Sequence, residues 1–333
     1  MTVTPFGHLR DGREVQIATL VAGGLRVQVL TLGAILQDLR LQGADWPLVL
    51  GSDQLGAYEG PMAWFGAVVG PVANRISGAE AMIAGQRARF EANDGPNTLH
   101  GGSSGTSGQI WRVAEARADR LTLRLDLAAG VGGFPGNRQL CAEYRISAPG
   151  TLELELTATT DASTLMNLAH HPYWNLDGSA ETSGHWLHVA ADALLPTDAA
   201  CLPSGQIAPL TGDPRDLREM RNLADLPPLD HCYVLAQKPR PLTEIATLRG
   251  ARGITLALAS TAPGLQVYDG AGIFTAPWPG LGGLPYGPYA GLALEPQLWP
   301  DAPAHPEFPS VLLQADAIFQ QLTRYSLSRI SQN

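Results

Sequence analysis

The sequence has little charge and almost no lysine. Asp, Glu, Lys and Arg make up 16% of its 333 residues, the formal net charge is −9, and Lys238 is its single lysine. Nucleic acids and anionic membrane surfaces bind proteins through clusters of Lys and Arg, and no basic stripe is present here. We therefore expect neither nucleic acid nor membrane as a partner.

Cysteines and long apolar runs are also scarce. The three cysteines, Cys141, Cys201 and Cys232, are widely spaced and form no CxxC pair, which argues against a disulfide framework or a zinc knuckle. No run of about 18 apolar residues could span a bilayer, and the first twenty residues lack a basic region followed by an apolar one. We expect a soluble, cytoplasmic protein.

Motifs for phosphate and metal binding are missing. Neither GxxxxGK[ST] nor a GxGxxG that opens a helix occurs, and HExxH is absent. A metal centre would need His100, His170, His171, His231 and His305 to converge in the fold. Adjacent residues of a strand point to opposite faces, so His170 and His171 are not expected to share one ion.

The residues that are abundant favour strands. The 37 Gly and 26 Pro punctuate a chain that is 45% hydrophobic, as is typical of many short strands joined by turns. Leucines alternate with polar residues in the runs LTLRLDL and TLELELTATT, which indicates half-buried antiparallel strands. The predicted fold class is all-β, and no linker is visible, so we expect a single domain over residues 1–333.

Three local features are less regular. Residues 14–42 break at Gly23-Gly24 into an expected hairpin, although GAILQDLRLQ within them is also compatible with a helix. Residues 70–102 carry Asn74, Arg75, Asn97 and His100 around a second expected hairpin. Residues 196–229 are rich in Pro, Gly and Asp and are interpreted as a long, partly helical excursion.

Chemistry-bearing residues concentrate in residues 164–178, TLMNLAHHPYWNLDG. A histidine pair near a strand end can transfer protons, bind metal or pack in the core. The alternation of side chains predicts that one histidine faces a site and the other packs or faces solvent. Glu295 ends a second apolar strand, AGLAL, where a site residue and a solvated one are both possible.

Other polar residues have ordinary alternatives. Arg75 fits a surface salt bridge, and His100 fits a turn. Ser103 in GGSSG matches a nucleophile elbow, but TSGQIW after it is a poor helix start. The remaining inventory of Asn, Arg, His, Asp, Glu, Trp and Tyr suits a neutral polyhydroxylated ligand such as a sugar.

These residues resemble a known family. NRISGA, NTLHGG, HHPYWNLDG, LDHCYVL, PGLQVY and LEPQLWPDAPAHPEFPS occur in the order and at about the spacings of the aldose 1-epimerases of the galactose mutarotase type. The resemblance spans about residues 5–325. It implies a large antiparallel β-sandwich with few short helices and a sugar cleft, and interconversion of the anomers of free aldoses without a cofactor or metal.

The resemblance also implies roles for single residues. The general base of the family matches Glu295, and the general acid matches His171, with His170 where Asn is common. Arg75, His100 and Asp230 match further site positions, and we expect Asn74 and Trp174 to contact the monosaccharide as well. Pro172 and Pro296 depart from the family pattern, which leaves sugar preference open. The protein is expected to be a monomer or a homodimer.

Opening a hemiacetal ring needs a proton removed from the anomeric hydroxyl and another added to the ring oxygen. A carboxylate and an imidazolium can do both, each contributing about 10²–10⁴-fold. Three alternatives remain open. A sugar-phosphate epimerase would need added cations, a glycoside hydrolase would use Glu295 with Asp230 as a carboxylate pair, and a non-catalytic sugar-binding protein would need no acid-base pair.

Overall fold

The computed structural model describes residues 2–329, and nearly all of its regular elements are β-strands, numbered β1 to β27 in chain order. Within this range there is one α-helix, α1 (Leu55–Tyr58), and no helix has the length and apolar character needed to cross a membrane. Short 3₁₀ turns cover Ser77–Ala79, Thr106–Gly108, Val131–Gly133, Leu223–Asp225 and Ala302–Ala304.

The largest sheet has nine antiparallel strands. In spatial order these are β10 (Arg112–Arg117), β11 (Arg120–Leu127), β12 (Arg138–Ala148), β13 (Thr151–Thr160), β27 (Ile318–Arg329), β23 (Ile254–Ser260), β22 (Thr243–Arg249), β17 (Trp186–Val189) and β20 (Arg221–Asn222). Period-two alternation explains its long strands, because the leucines at every second position of β11 and β13 are all buried.

A six-stranded antiparallel sheet carries the site described below. Its strands, in spatial order, are β16 (Tyr173–Trp174), β25 (Leu292–Gln297), β24 (Gly264–Tyr268), β21 (Asp230–Val234), β18 (Ala193–Leu194) and β19 (Ala208–Pro209). Its main pairings place Tyr173 opposite Ala293 and Gln266 opposite Glu295. The register therefore sets side chains from distant parts of the chain next to one another.

The remaining strands form one four-stranded sheet and four pairs. The four-stranded sheet contains β1 (Thr2–His8), β2 (Glu14–Ala22), β3 (Leu25–Leu30) and β4 (Leu36–Leu41). The pairs are β5 (Val68–Val69) with β15 (Ala169–His170), β6 (Arg75–Ile76) with β9 (Thr98–Leu99), β7 (Glu80–Ile83) with β8 (Gln86–Arg89), and β14 (Thr164–Leu165) with β26 (Leu312–Leu313).

The two large sheets face each other across the main hydrophobic core. Leu123, Leu154 and Leu256 of the nine-stranded sheet pack in one buried cluster with Leu265 and Leu292 of the six-stranded sheet. This is the face-to-face arrangement of a β-sandwich. The all-β prediction is confirmed, and the six-stranded sheet keeps its other face free for polar side chains.

The structure decides the local alternatives. The hairpin at Gly23-Gly24 is present as β2 and β3, and the segment with helical character is strand β4 instead. β7 and β8 form the second expected hairpin. The prediction of a partly helical excursion at residues 196–229 is wrong, because its only helical turn within the described chain is the 3₁₀ turn Leu223–Asp225. Its Pro and Gly residues favour turns over a continued helix.

Candidate active site

A pocket of about 410 Å³ lies on the face of the six-stranded sheet that points away from the main core. Strands β21, β24 and β25 alternate between core-facing and pocket-facing residues, and the pocket-facing ones include Asp230, Gln266, Tyr268 and Glu295. Loops and short strands around the sheet supply the rest of the polar and aromatic wall: Trp64, Phe65, Asn74, Arg75, His100, His171, Tyr173 and Phe274.

The pocket gathers most of the residues singled out in the sequence. His171, Glu295, Arg75, His100, Asp230 and Asn74 all line it. Trp174 does not, and the expectation that it contacts the substrate needs correction. Its indole is fully buried in the main core, 5.1 Å from the ring of Tyr325. Neighbouring residues of a strand point to opposite faces, so Tyr173 takes the pocket side.

His171 and Glu295 meet at the buried floor of the pocket. Nε2 of His171 lies 3.5 Å from Oε1 of Glu295, and both side chains are almost completely buried. The register of β16 against β25 produces this meeting, since Tyr173 pairs with Ala293 two residues away from each of them. The backbone N–H of His171 also donates to the carbonyl of Ala67 at 2.9 Å.

Burial favours the uncharged form of each of these two groups. It raises the pKa of Glu295 well above its usual range, with a further contribution from the nearby charge of Asp230. Burial also lowers the pKa of His171 to about 4. Burial therefore favours the arrangement with a proton on the Glu295 carboxyl and a neutral His171 imidazole over the ion pair of the two.

Two hydrogen bonds join Asn74 and His100, and a backbone N–H is the donor in each. The N–H of Asn74 donates to Nδ1 of His100 at 3.1 Å, and the N–H of His100 donates to the carbonyl of Asn74 at 3.0 Å. Because Nδ1 accepts, the neutral ring carries its proton on Nε2. Burial lowers the pKa of His100 well below its usual range. His100 is thus a neutral hydrogen-bond donor.

Arg75 and Asp230 bring charge to the pocket wall, and both are partnered. Nε of Arg75 donates to Asp94 at 2.7 Å. Oδ1 of Asp230 accepts from Nε2 of Gln266 at 2.6 Å, while burial raises the pKa of Asp230. Arg75 is the single Lys or Arg side chain among the described pocket-lining residues, and Asp94 balances its charge.

Several pocket residues were not selected from the sequence. Gln266 lies in the PGLQVY run and pairs across the sheet with Glu295, so strand register would have identified it. Trp64 and Phe274 project from loops, and Phe274 is 70% exposed at the pocket mouth. Loop aromatics carry no periodic signal that separates them from core residues.

The other sequence candidates lie elsewhere. His231 and His305 are outside the pocket, and residues 2–329 contain no cluster of three metal-ligating side chains. Ser103 donates from Oγ to Glu91 at 2.6 Å in an exposed loop. A 3₁₀ turn at Thr106–Gly108 follows it instead of a helix, which confirms that TSGQIW does not start the helix a nucleophile elbow requires.

Similarity to known proteins assigns this chain to a family. The model of the family described as "Aldose 1-epimerase" matches residues 16–326 of the chain. The chain belongs to the aldose 1-epimerase family. The family predicted from the sequence is confirmed, and so is the prediction that the protein is an isomerase.

Aldose 1-epimerase relatives match over almost their whole length. A galactose mutarotase of Mus musculus is 32% identical over 340 residues, which cover 98% of each chain. An aldose 1-epimerase of Escherichia coli is 29% identical, over 95% of this chain and 96% of that protein. A solved aldose epimerase homologue from C. elegans superimposes with a TM-score of 0.88 at 28% identity, covering 95% of this chain and 99% of the other.

Proposed function

We propose that this protein interconverts the α and β anomers of free aldoses such as glucose or galactose. Glu295 acts as general base and His171 as general acid. The observation that carries the proposal is the distance of 3.5 Å between His171 Nε2 and Glu295 Oε1 on the floor of a deep, mostly neutral pocket. The anomeric hydroxyl and the ring oxygen share one carbon, so two adjacent groups can serve both.

The reaction begins with the pair holding one proton. The states Glu-COOH with neutral His and Glu-COO⁻ with HisH⁺ contain the same number of protons, and macroscopic pKa values belong to the pair. Hydrogen bonds from a sugar to the carboxylate favour its charged form. Sugar binding therefore moves the proton from Glu295 to His171, which produces the ionised base and charged acid that ring opening requires.

Ring opening then proceeds in one concerted exchange. Glu295 takes the proton of the anomeric hydroxyl while His171 gives its proton to the ring oxygen, and the bond between the anomeric carbon and the ring oxygen breaks. The open-chain aldehyde rotates about the bond next to its carbonyl carbon. His171 takes the proton back from the hydroxyl and Glu295 returns its proton to the carbonyl oxygen, which closes the other anomer.

The pocket wall favours a neutral sugar over a sugar phosphate. A phosphate group is normally held by unpaired Arg or Lys side chains in bidentate contacts. Here the guanidinium of Arg75 already contacts the Asp94 carboxylate at 2.7 Å. Neutral donors and acceptors on His100, Asn74 and Gln266 match sugar hydroxyls, and the aromatic rings offer apolar walls.

Polarimetry tests the proposal directly. Freshly dissolved α-glucose, α-galactose and a panel of pentoses are followed to equilibrium with the wild-type protein, with Glu295→Gln, and with buffer alone. We expect the wild type, but not the variant, to accelerate mutarotation of at least one free sugar. Acceleration restricted to a sugar 6-phosphate, hydrolysis of an aryl glycoside, or no acceleration at all would each refute the proposal.

A further inference from the structure

His170 lies on the opposite side of its strand from His171 and takes no part in the pocket. Its side chain is 1% exposed, in a polar cluster with Tyr144 and Tyr325 inside the sandwich. We infer that His170 is a positioning residue that fixes His171 against Glu295 through the carbonyl of Gly66. This inference rests on the proposed function, and it assigns a role to a residue that does not touch the sugar.

The partners of His170 determine its protonation. Nε2 lies 3.1 Å from the carbonyl oxygen of Gly66, which only accepts, so Nε2 carries the proton. Tyr144 donates its hydroxyl proton to the carbonyl of Ala34 at 2.7 Å, so at 3.2 Å from Nε2 it is a second acceptor. Nδ1 then accepts from the hydroxyl of Tyr325 at 2.9 Å.

His170 is consequently a neutral ring with every polar atom partnered. Burial lowers the pKa of His170 to about 3, so the ring stays uncharged in the neutral range. Its orientation is fixed from both edges, by a donor on one side and by acceptors on the other. A ring held in this way can act as a rigid brace between the strand that carries it and residue 66.

Gly66 connects this brace to the catalytic histidine. The N–H of Gly66 donates to the carbonyl of His171 at 2.9 Å, while the Gly66 carbonyl accepts from His170 and from the N–H of Leu36. Directly after it, the carbonyl of Ala67 accepts from the N–H of His171 at 2.9 Å. The backbone of His171 is thus held on both sides by the segment that the His170 ring fixes.

The same segment forms part of the pocket wall. Trp64 and Phe65 directly precede Gly66 and line the pocket, and Phe65 lies 4.5 Å from Tyr173 between ring centroids. In contrast, Asp230 and Gln266 lie on β21 and β24, and within residues 2–329 neither strand pairs with the segments that carry His170 and Gly66. A substitution at His170 should therefore disturb the relative positions of His171 and Glu295 more than the positions of most sugar-binding groups.

Two substitutions at His170 separate positioning from folding. His170→Gln keeps an N–H for Gly66 and an acceptor for Tyr325, whereas His170→Leu fills similar space with neither. Tyr325→Phe removes the donor to Nδ1, and Tyr233→Phe is the matched control, because this buried tyrosine donates to the Arg215 carbonyl instead. kcat and KM for mutarotation are measured well below each unfolding temperature, on protein shown to be folded.

We expect His170→Leu to lower kcat by about tenfold, since small misplacements of catalytic groups have effects of this order or larger. KM should stay within about twofold of wild type. His170→Gln should recover most of the lost kcat, Tyr325→Phe should show an intermediate loss, and Tyr233→Phe should match wild type. Wild-type kcat in His170→Leu, or no recovery in His170→Gln, would overturn the inference.

A second measurement does not depend on turnover. The imidazole ¹⁵N resonances of His171, assigned by their loss in His171→Asn, should shift or broaden in His170→Leu and return in His170→Gln. Unchanged His171 resonances in His170→Leu would overturn the positioning role even if the protein is an active mutarotase. Responsive resonances in a protein that accelerates no mutarotation would leave the positioning role standing and refute the proposed function alone.

Discussion

Glu295 and His171 carry the proposed proton transfers, and their substitution is the sharpest test at the scale of single residues. Loss of a general acid or base lowers rates by about 10²–10⁴-fold. We expect Glu295→Gln and His171→Asn each to lose at least about a hundredfold in kcat/KM by polarimetry. His170→Asn should stay within about tenfold of wild type. Equal losses at the two histidines would show that the acid is assigned to the wrong one.

The shared proton predicts the pH dependence of activity. kcat/KM reports the protonation of the free enzyme, and the pair is competent only while it holds one proton. Below the lowered pKa of His171, about 4, it gains a second proton and loses the base. Above the raised pKa of Glu295 it loses the acid. We expect a plateau between these limits, after subtraction of spontaneous mutarotation. A loss of activity on the acid side that is centred near pH 6.5, the ordinary pKa of a free imidazole, would contradict this scheme.

Most of the residues chosen from the sequence line one pocket, but the sequence does not indicate how burial shifts their pKa values. Side-chain alternation separates His170 from His171, and it equally places Tyr173 in the pocket and Trp174 in the core. The same alternation continued past Pro172 assigns Trp174 to the core, which is why the prediction of a sugar contact for Trp174 is wrong. The raised pKa of Glu295 and the lowered pKa of His171 arise from burial, which composition and spacing do not report.

At the scale of elements, the turn that ends at Gly66 joins the pocket wall to the segment that carries His170 and His171. Its φ of +68° is in the left-handed region, and a Cβ there would lie 2.2 Å from the carbonyl oxygen of Leu36. Left-handed backbone costs a non-glycine residue about 1–2 kcal/mol. At Gly66 the collision with a backbone oxygen adds to that cost.

We therefore expect Gly66→Ala to lower the free energy of unfolding by more than about 2 kcal/mol and to reduce kcat as well. Gly85→Ala is the matched control, because Gly85 has φ +80° with no atom near its would-be Cβ. The control should lose only about 1–2 kcal/mol, from backbone strain alone, and keep wild-type kcat. Urea unfolding and polarimetry give both quantities. Equal effects at the two glycines would contradict this account of Gly66.

Long strands were predictable, and the short strands of the site were not. β12 and β13 show clear period-two patterns with Pro149-Gly150 at their turn. β15 and β16 have two residues each and exist only because they pair with β5 and β25, which lie far away in the sequence. A pattern within a local window cannot reveal such pairings, since long-range register determines them.

At the scale of the whole molecule, buried neutral histidines make stability depend on pH. Burial lowers the pKa of His100, His170, His171, His185 and His231. Their stabilising contribution is complete above the unfolded pKa of about 6.5 and is lost as pH falls toward the folded value, because the unfolded chain takes up protons first. Raised carboxyl pKa values, such as that of Glu295, act in the opposite direction.

The contribution of His170 to the pH dependence of the unfolding free energy can be measured separately. With a folded pKa of about 3, its contribution should fall by about 2 kcal/mol between pH 7 and pH 5. The loss of unfolding free energy over this interval should therefore be smaller by that amount in His170→Gln than in wild type. Urea unfolding at both pH values measures the difference, with Tyr233→Phe as a control that keeps the wild-type slope. Identical slopes in wild type and His170→Gln would contradict the prediction.

The position of β27 has a consequence for how the protein is made. β27 follows every other described strand in the chain, yet it lies between β13 and β23 in the middle of the nine-stranded sheet. The ribosome releases the chain from its first residue onward, so both halves of the sheet emerge before the strand that joins them. Until β27 arrives, each half presents an unpaired edge open to other chains. We therefore expect nascent chains of this protein to be most prone to aggregation before β27 has been made.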